Sequence, residues 1–274
     1  MKNFIQRSIT GIIYVAVIIT SILVHPFAFA FVFAGITALS LSEFYKLSSS
    51  DHIRAFKYAG IISGVILFII NFLYVSGFIP LPALISFILL SFSVFFLGLI
   101  RWKENIILNI GFTFLGILYI AVPLSLLTYL CYPGKGSPSY SHKILLGYLF
   151  ILWLYDTGAY IFGSLLGRHK IMEKVSPGKT WEGLAGGMIV AIGMALVIAE
   201  IFVTISRIDW IVISLITVVT GTLGDLLESG IKRNAGAKDS GHLLPGHGGI
   251  LDRIDSVLLS APFVCLFLML RNYI

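Results

Sequence analysis

The sequence predicts an all-α integral membrane protein: a polytopic helical bundle of about nine transmembrane helices, with the N-terminus cytoplasmic. Three observations carry that expectation. Of 274 residues, 58% are hydrophobic and only 12% charged, about half the charged share of an average soluble domain. Several uninterrupted apolar runs reach the roughly 20 residues a helix needs to cross a bilayer. Lysine and arginine are divided unevenly between alternate loops. A β-barrel is excluded, because its strands would be short and alternating.

The apolar runs fall at 8–25, 27–45, 58–77, 81–100, 106–130, 144–166, 183–204, 209–228 and 254–271. Lys2 and Arg7 precede the first. Its end, SILVHPFAFAF, lacks a small-x-small cleavage pattern, so it reads as a retained helix. His25–Pro26 makes the turn into the second run, which ends at Glu43 and Lys46. With the N-terminus in the cytoplasm, 15 of the 19 lysines and arginines are cytoplasmic. Lys135, Lys143, Arg207 and Arg271 fall on the other side, with the C-terminus. A short chain without a targeting extension points to a bacterial inner membrane, crossed several times. The net charge of +6 is spread over short loops, which speaks against a nucleic-acid partner. Cys131 and Cys265 lie in apolar segments without zinc-ligand spacing, and read as buried thiols. Residues 1–150 hold three acids and the remainder holds ten. The expectation is one integral domain, 1–274, with a scaffold-like half at 1–143 and a catalytic half at 144–274.

Polar chemistry gathers in three places. In the sixth run, YDTGAY sets Asp156 near mid-membrane, where an unpaired carboxylate costs several kcal/mol. It is either an interhelical contact or part of a site. Ala159, Gly163 and Gly167 follow at four-residue spacing and suit close helix packing. In the eighth run, Asp225, Glu228 or Ser229, and Lys232 share one helix face at the cytoplasmic surface. Two acids one turn apart there ask for a cation. The third place is residues 232–255, KRNAGAKDSGHLLPGHGGILDRID, with seven charged residues, two histidines and five glycines. Glycines and Pro245 forbid a long helix and let the backbone approach a ligand. Lys232, Arg233, Lys238 and Arg253 suit phosphates. Hard carboxylates with substrate phosphates are the usual magnesium environment. His242 and His247, five apart without a cysteine, read as phosphate or structural contacts rather than zinc ligands. On the same side, GRHKIMEKVSPGKTWEG contains a GKT. A nucleotide-hydrolase phosphate loop would need glycine where Glu173 stands, and a preceding strand, which the sequence does not suggest. Lys179 remains a phosphate contact. Together the residues indicate phosphoryl-type chemistry on an amphiphile at the cytoplasmic face.

Ser229, Lys232, Arg233, Lys238, Asp239, Pro245, Gly246, His247, Gly248, Gly249, Asp252, Arg253 and Asp255 form a pattern that resembles the signature of phosphatidate cytidylyltransferases, or CDP-diacylglycerol synthases. SPGKTWEG and DTGAY also resemble family regions, so the likeness covers most of 150–260. The first 140 residues share only an apolar, helical character. The resemblance implies the reaction of CTP with phosphatidate to give CDP-diacylglycerol and pyrophosphate, with Mg²⁺ required and a second cation allowed. It implies a homodimer, a site open to cytosol and membrane, and metal acids at Asp225 and Asp252. Lys232, Arg233, Lys238 and Lys179 would bind phosphates, and Arg253 would do so or orient Asp252. Asp239 and Asp255 would orient other groups. Ser176, Thr180, Ser229, His247, Gly248, Gly249 and Asp156 complete the expected site.

Three rivals stay open. A CTP-using lipid kinase would need a base for a hydroxyl and fits the signature less well. A consumer of CDP-diacylglycerol would carry DGxxAR, where this chain has DTGAY. A transporter would show repeated halves with midplane polar residues in both.

Overall fold

The computed structural model describes residues 2–49, 53–100, 105–134, 139–246 and 248–274. Of the expected site residues, His247 lies outside them. So do Arg101, Lys103 and Lys135 of the charge count, and the acids Asp51 and Glu104.

The protein is mostly helical. The α-helices are α1 Lys2–Val24, α2 Pro26–Leu47, α3 Lys57–Val75, α4 Ile85–Ile100, α5 Ile106–Gly116, α6 Val122–Leu126, α7 Lys143–Leu166, α8 Trp181–Ile201, α9 Arg207–Asn234 and α10 Asp255–Leu270. Among the described residues, six helical stretches are long and apolar enough to cross a membrane: α2, α3, Ile106–Cys131, α7, α8 and α9. Ile9–Val24 and α10 are shorter apolar helices. Within Ile106–Cys131 a π-helical turn, Ile117–Ala121, separates α5 from α6. Pro123 supplies the reason: it has no N–H for the carbonyl four residues back, so the regular ladder cannot run through. The start of α2 is fixed by His25, whose Nδ1 accepts the Phe27 N–H at 3.2 Å, and by Pro26 in the first turn.

Two features depart from the sequence expectation. Strands β1 Lys170–Met172 and β2 Ser176–Thr180 pair antiparallel, so the fold is not purely helical. The GKT lies inside β2, which corrects the expectation of no strand nearby. The second departure is α9, which runs 28 residues and carries Lys232 and Arg233 into its last turn. Cations at a helix C-terminus face the partial negative charge of its free carbonyls, which favours the extension.

The chain forms two compact units. The first comprises Met1–Thr128 and Ala235–Ile254. Its core is aromatic: Phe29 packs against Phe33, Phe68 and Phe72, and the fully buried Tyr45 donates its hydroxyl to the Thr113 carbonyl at 2.7 Å.

The second comprises Tyr129–Asn234 and Asp255–Ile274, the helices α7 to α10 with the hairpin. Trp210 and Tyr148 are buried at its centre. Cys131 and Cys265 are buried free thiols. Asp209, 3% exposed, receives Arg271 at 3.0 Å and the hydroxyls of Ser206 and Tyr273 at 2.7 and 2.8 Å, tying the start of α9 to the end of α10. Helices α7 and α8 meet through small residues. A Cβ on Gly183 would stand 2.8 Å from the Ala159 carbonyl oxygen and 3.1 Å from the Gly163 Cα. Gly183→Leu is therefore expected to lower stability by about 1–3 kcal/mol, the usual cost of overpacking. Thermal unfolding in detergent measures it, and an unchanged midpoint would show that the contact is loose.

Candidate active site

In the second unit the hairpin delivers the chain to α8. Thr180 ends β2 and caps α8: its Oγ1 accepts the Gly183 N–H at 3.1 Å. At the other end of the hairpin, Glu182 accepts the N–H groups of Arg168 and His169 at 3.1 and 3.2 Å and meets His169 Nδ1 at 2.6 Å. The hairpin is thus tied at both ends, and Lys179 projects from a fixed strand.

Lys179 lines a cavity of about 290 Å³ with Asp156 and Tyr155 of α7, Ser176 and Thr180 of the hairpin, and Thr222 and Asp225 of α9. Its Nζ stands 2.5 Å from Asp225 Oδ2, with the two side chains 23% and 30% exposed. The Ser229 hydroxyl donates to Asp225 Oδ1 at 3.2 Å. In the cavity wall the hydroxyls of Tyr155 and Thr222 are hydrogen-bonded. One turn along α9, the fully buried Glu228 pairs with Lys232 at 2.5 Å. Asp255, opening α10, lies within the electrostatic reach of Asp225, Glu228 and Asp156. A Cβ on Gly224 would stand 2.6 Å from the Asp255 carbonyl oxygen, so α9 and α10 touch backbone to backbone there. Four carboxylates are gathered about two ammonium groups, which is an arrangement that attracts further positive charge.

In the first unit, residues 235–246 and 248–254 are a folded loop. Gly248 has φ +82°, a conformation that favours glycine, and its carbonyl accepts the Leu244 N–H at 3.0 Å. Asp239, His242, Pro245, Gly248 and Arg253 line a polar cavity of about 280 Å³. The Asp252 carboxylate is held by backbone donors: Gly249 N–H at 2.7 Å and Ser240 N–H at 3.0 Å, both to Oδ2. Gly249 is buried, and a Cβ there would overlap Ser240 Oγ.

The expected site residues therefore fall into two groups. Asp156, Ser176, Lys179, Thr180 and Asp225 share one cavity of the second unit, with Ser229 bonded to Asp225 and Lys232 held by Glu228. Asp239, Gly248, Gly249, Asp252 and Arg253 belong to the first unit. Arg233 and Lys238 are exposed. Two residues outside the expected set take part. Glu228 was legible as a neighbour of Lys232 on the helix face. Glu43, which contacts the 240–251 loop, had no signal beyond being an acid at the end of an apolar run.

Among the described residues, no three His, Cys, Asp or Glu side chains form a ready-made metal site. Magnesium does not require one, since it takes one or two carboxylates and completes its shell with waters and phosphates. Half-buried Asp225, beside Asp156, and backbone-fixed Asp252 are hard oxygen donors of that kind, so the residues present fit the ion.

Apolar helices of spanning length, with carboxylates and cations collected in small cavities, define a multi-pass membrane protein with charged sites. The Cytidylyltransferase family matches residues 5–271, and the chain belongs to that family. It is accordingly a nucleotidyltransferase enzyme. A phosphatidate cytidylyltransferase of Staphylococcus aureus (strain COL) is 35% identical over 266 residues, 96% of this chain and 98% of the relative. That of Staphylococcus haemolyticus is 36% identical over 239 residues, 84% and 87% of the two chains. That of Staphylococcus saprophyticus is 41% identical over 186 residues, 67% of this chain and 66% of the relative.

Proposed function

We propose that this protein transfers the cytidylyl group of CTP to phosphatidate, giving CDP-diacylglycerol and pyrophosphate for phospholipid synthesis. The relatives' shared name supports the substrates. The observation that carries the chemistry is the cavity in which Lys179 faces Asp225 at 2.5 Å beside Asp156. A phosphate-binding cation and an acid suited to a metal stand there in contact, each occupying the position of the other's eventual partner.

Both substrates are anions, so the first task is to offset their repulsion. Lys179 and Lys232 each start from a carboxylate, Asp225 and Glu228, and reach phosphate by leaving it. Arg233, Lys238 and Arg253 are exposed and take further phosphate oxygens. By the family resemblance Ser176, Thr180 and Ser229 would contact phosphates, and so would His247, Gly248 and Gly249. Asp239 and Asp255 orient neighbouring cations. By the same resemblance, Asp225 and Asp252 would be the acids that hold Mg²⁺, which would supply charge neutralisation at the phosphates, with a second cation allowed. A phosphatidate oxygen bonds to the α-phosphorus. The bond from that phosphorus to the β-bridging oxygen breaks, and its electron pair leaves with pyrophosphate. No general base is required, because phosphatidate is already ionised at neutral pH.

The reading includes nine spans with the N-terminus in the cytoplasm, an active site facing the cytoplasm, a bacterial inner membrane and a homodimer. Labelling of single cysteines in the loops checks the topology. The reaction is tested with purified protein, phosphatidate micelles, Mg²⁺ and CTP labelled at the α- or γ-phosphate. Label from the α-phosphate in the lipid phase is the expected result. Label from the γ-phosphate on a lipid alcohol would replace the reading with a kinase, and no transfer of either would remove it.

A further inference from the structure

Glu43 sits in the last turn of α2, about two hundred residues from the polar loop in sequence, yet its carboxylate is built into that loop. Its Oε1 accepts the Ile250 N–H at 3.1 Å, and its Oε2 accepts the Leu251 N–H at 2.8 Å and the Ser240 hydroxyl at 3.1 Å. All of these residues belong to the first unit.

Two of those donors stand at the entrance to a short helical turn. Leu251–Arg253 is a single 3-10 turn with Asp252 at its centre, and the preceding Ile250 offers no side-chain cap. The first N–H groups of a helical turn have no partner within it, and a carboxylate there makes charge-assisted bonds. Glu43 caps that turn from outside. Ser240 completes the connection, since its hydroxyl donates to Glu43 while its N–H donates to Asp252 at 3.0 Å. The slot admits nothing larger. A Cβ on Gly241 would lie 2.5 Å from Glu43 Oε1, and one on Gly249 would overlap Oε2. Two backbone N–H groups and one hydroxyl thus engage both oxygens of the Glu43 carboxylate.

We propose that Glu43 is a positioning residue that clasps the 240–251 loop and so presents Asp252 to the cation and substrate phosphates. The assignment rests on the cytidylyltransferase reading above. The side chain reaches neither substrate. It acts through Ser240 and the Leu251–Arg253 turn, as outer partners of metal-binding acids do.

Wild type, Glu43→Gln and Glu43→Ala in lipid nanodiscs test it with two readouts. Hydrogen–deuterium exchange tracks the amides of Ser240 and residues 249–251 without substrate, and cytidylyl transfer is titrated with Mg²⁺. Exchange at those amides should quicken about tenfold, and the half-activating Mg²⁺ should rise about 10–100-fold, more in Ala than in Gln. Peptides of α7 to α9 should exchange as in wild type, which separates loosening of the loop from unfolding. Gln is nearly isosteric and keeps one acceptor oxygen, so it serves if Ala does not fold. Unchanged exchange, or an Mg²⁺ dependence at the wild-type value, overturns the proposal. If the wild type transfers no label, the functional reading falls and the amides alone decide the clasp: quickened exchange upholds it, unchanged exchange overturns it.

Discussion

Asp252→Asn is expected to cut the transfer of α-phosphate label to lipid by about 10²–10³-fold, the usual loss when one preorganised electrostatic contact of a transition state is removed. The substitution keeps the shape of the side chain and removes its charge. It also places an amide NH₂ where an oxygen now accepts the N–H groups of Gly249 or Ser240, so the loop loses an acceptor as well as the proposed metal ligand. Thermal unfolding run in parallel keeps the two losses apart. An activity loss of this size with a midpoint near wild type assigns Asp252 to the chemistry. Retention of more than about a tenth of the activity would show that the acid is dispensable to the reaction.

The second large effect concerns stability. Lys232→Met leaves Glu228, 0% exposed, without its ammonium at 2.5 Å. Breaking a buried pair from one side costs about 3–5 kcal/mol, because the remaining charge keeps its desolvation penalty. The double substitution Lys232→Met with Glu228→Met removes both charges from α9 and is expected to recover most of that stability, since apolar replacements of buried pairs are often neutral or better. Activity should not return, because the ammonium proposed to bind phosphate is gone. Unfolding midpoints of the three proteins, with label transfer measured on each, check both halves. Equal stability of the single and double variants would mean that Glu228 finds another neutralising partner or takes up a proton.

How much the sequence disclosed depends on how far apart the interacting residues are. The apolar runs at 27–45, 58–77 and 144–166 became α2, α3 and α7 because burial in lipid depends on a local property, summed over about 20 residues. The contact of Asp225 with Ser229, and of Glu228 with Lys232, was legible because helical periodicity brings residues four apart together. The hairpin at 170–180 was not. KIM and SPGKT carry no alternation, and the strands are held by the Thr180 cap and the Glu182 anchor rather than by a buried face. The division of the chain was hidden for a related reason. Residues 235–254 read as one polar stretch with the end of α9, yet they fold with the first 128 residues. Glu43 stands at a separation of 207 residues from Ile250, and no local pattern spans such a distance.

That separation also orders events during synthesis. The carboxylate of Glu43 is made 197 residues before Ser240 and 208 before Leu251, so α2 enters the membrane well ahead of the donors that will occupy it. A ribosome must complete nearly the entire chain before the loop carrying Asp252 can be seated. A nascent chain stalled at the end of α9 would hold the Lys179–Asp225 pair but lack the 235–254 segment altogether. The clasp therefore closes only after residues 1–251 have been made, with α10 still to follow.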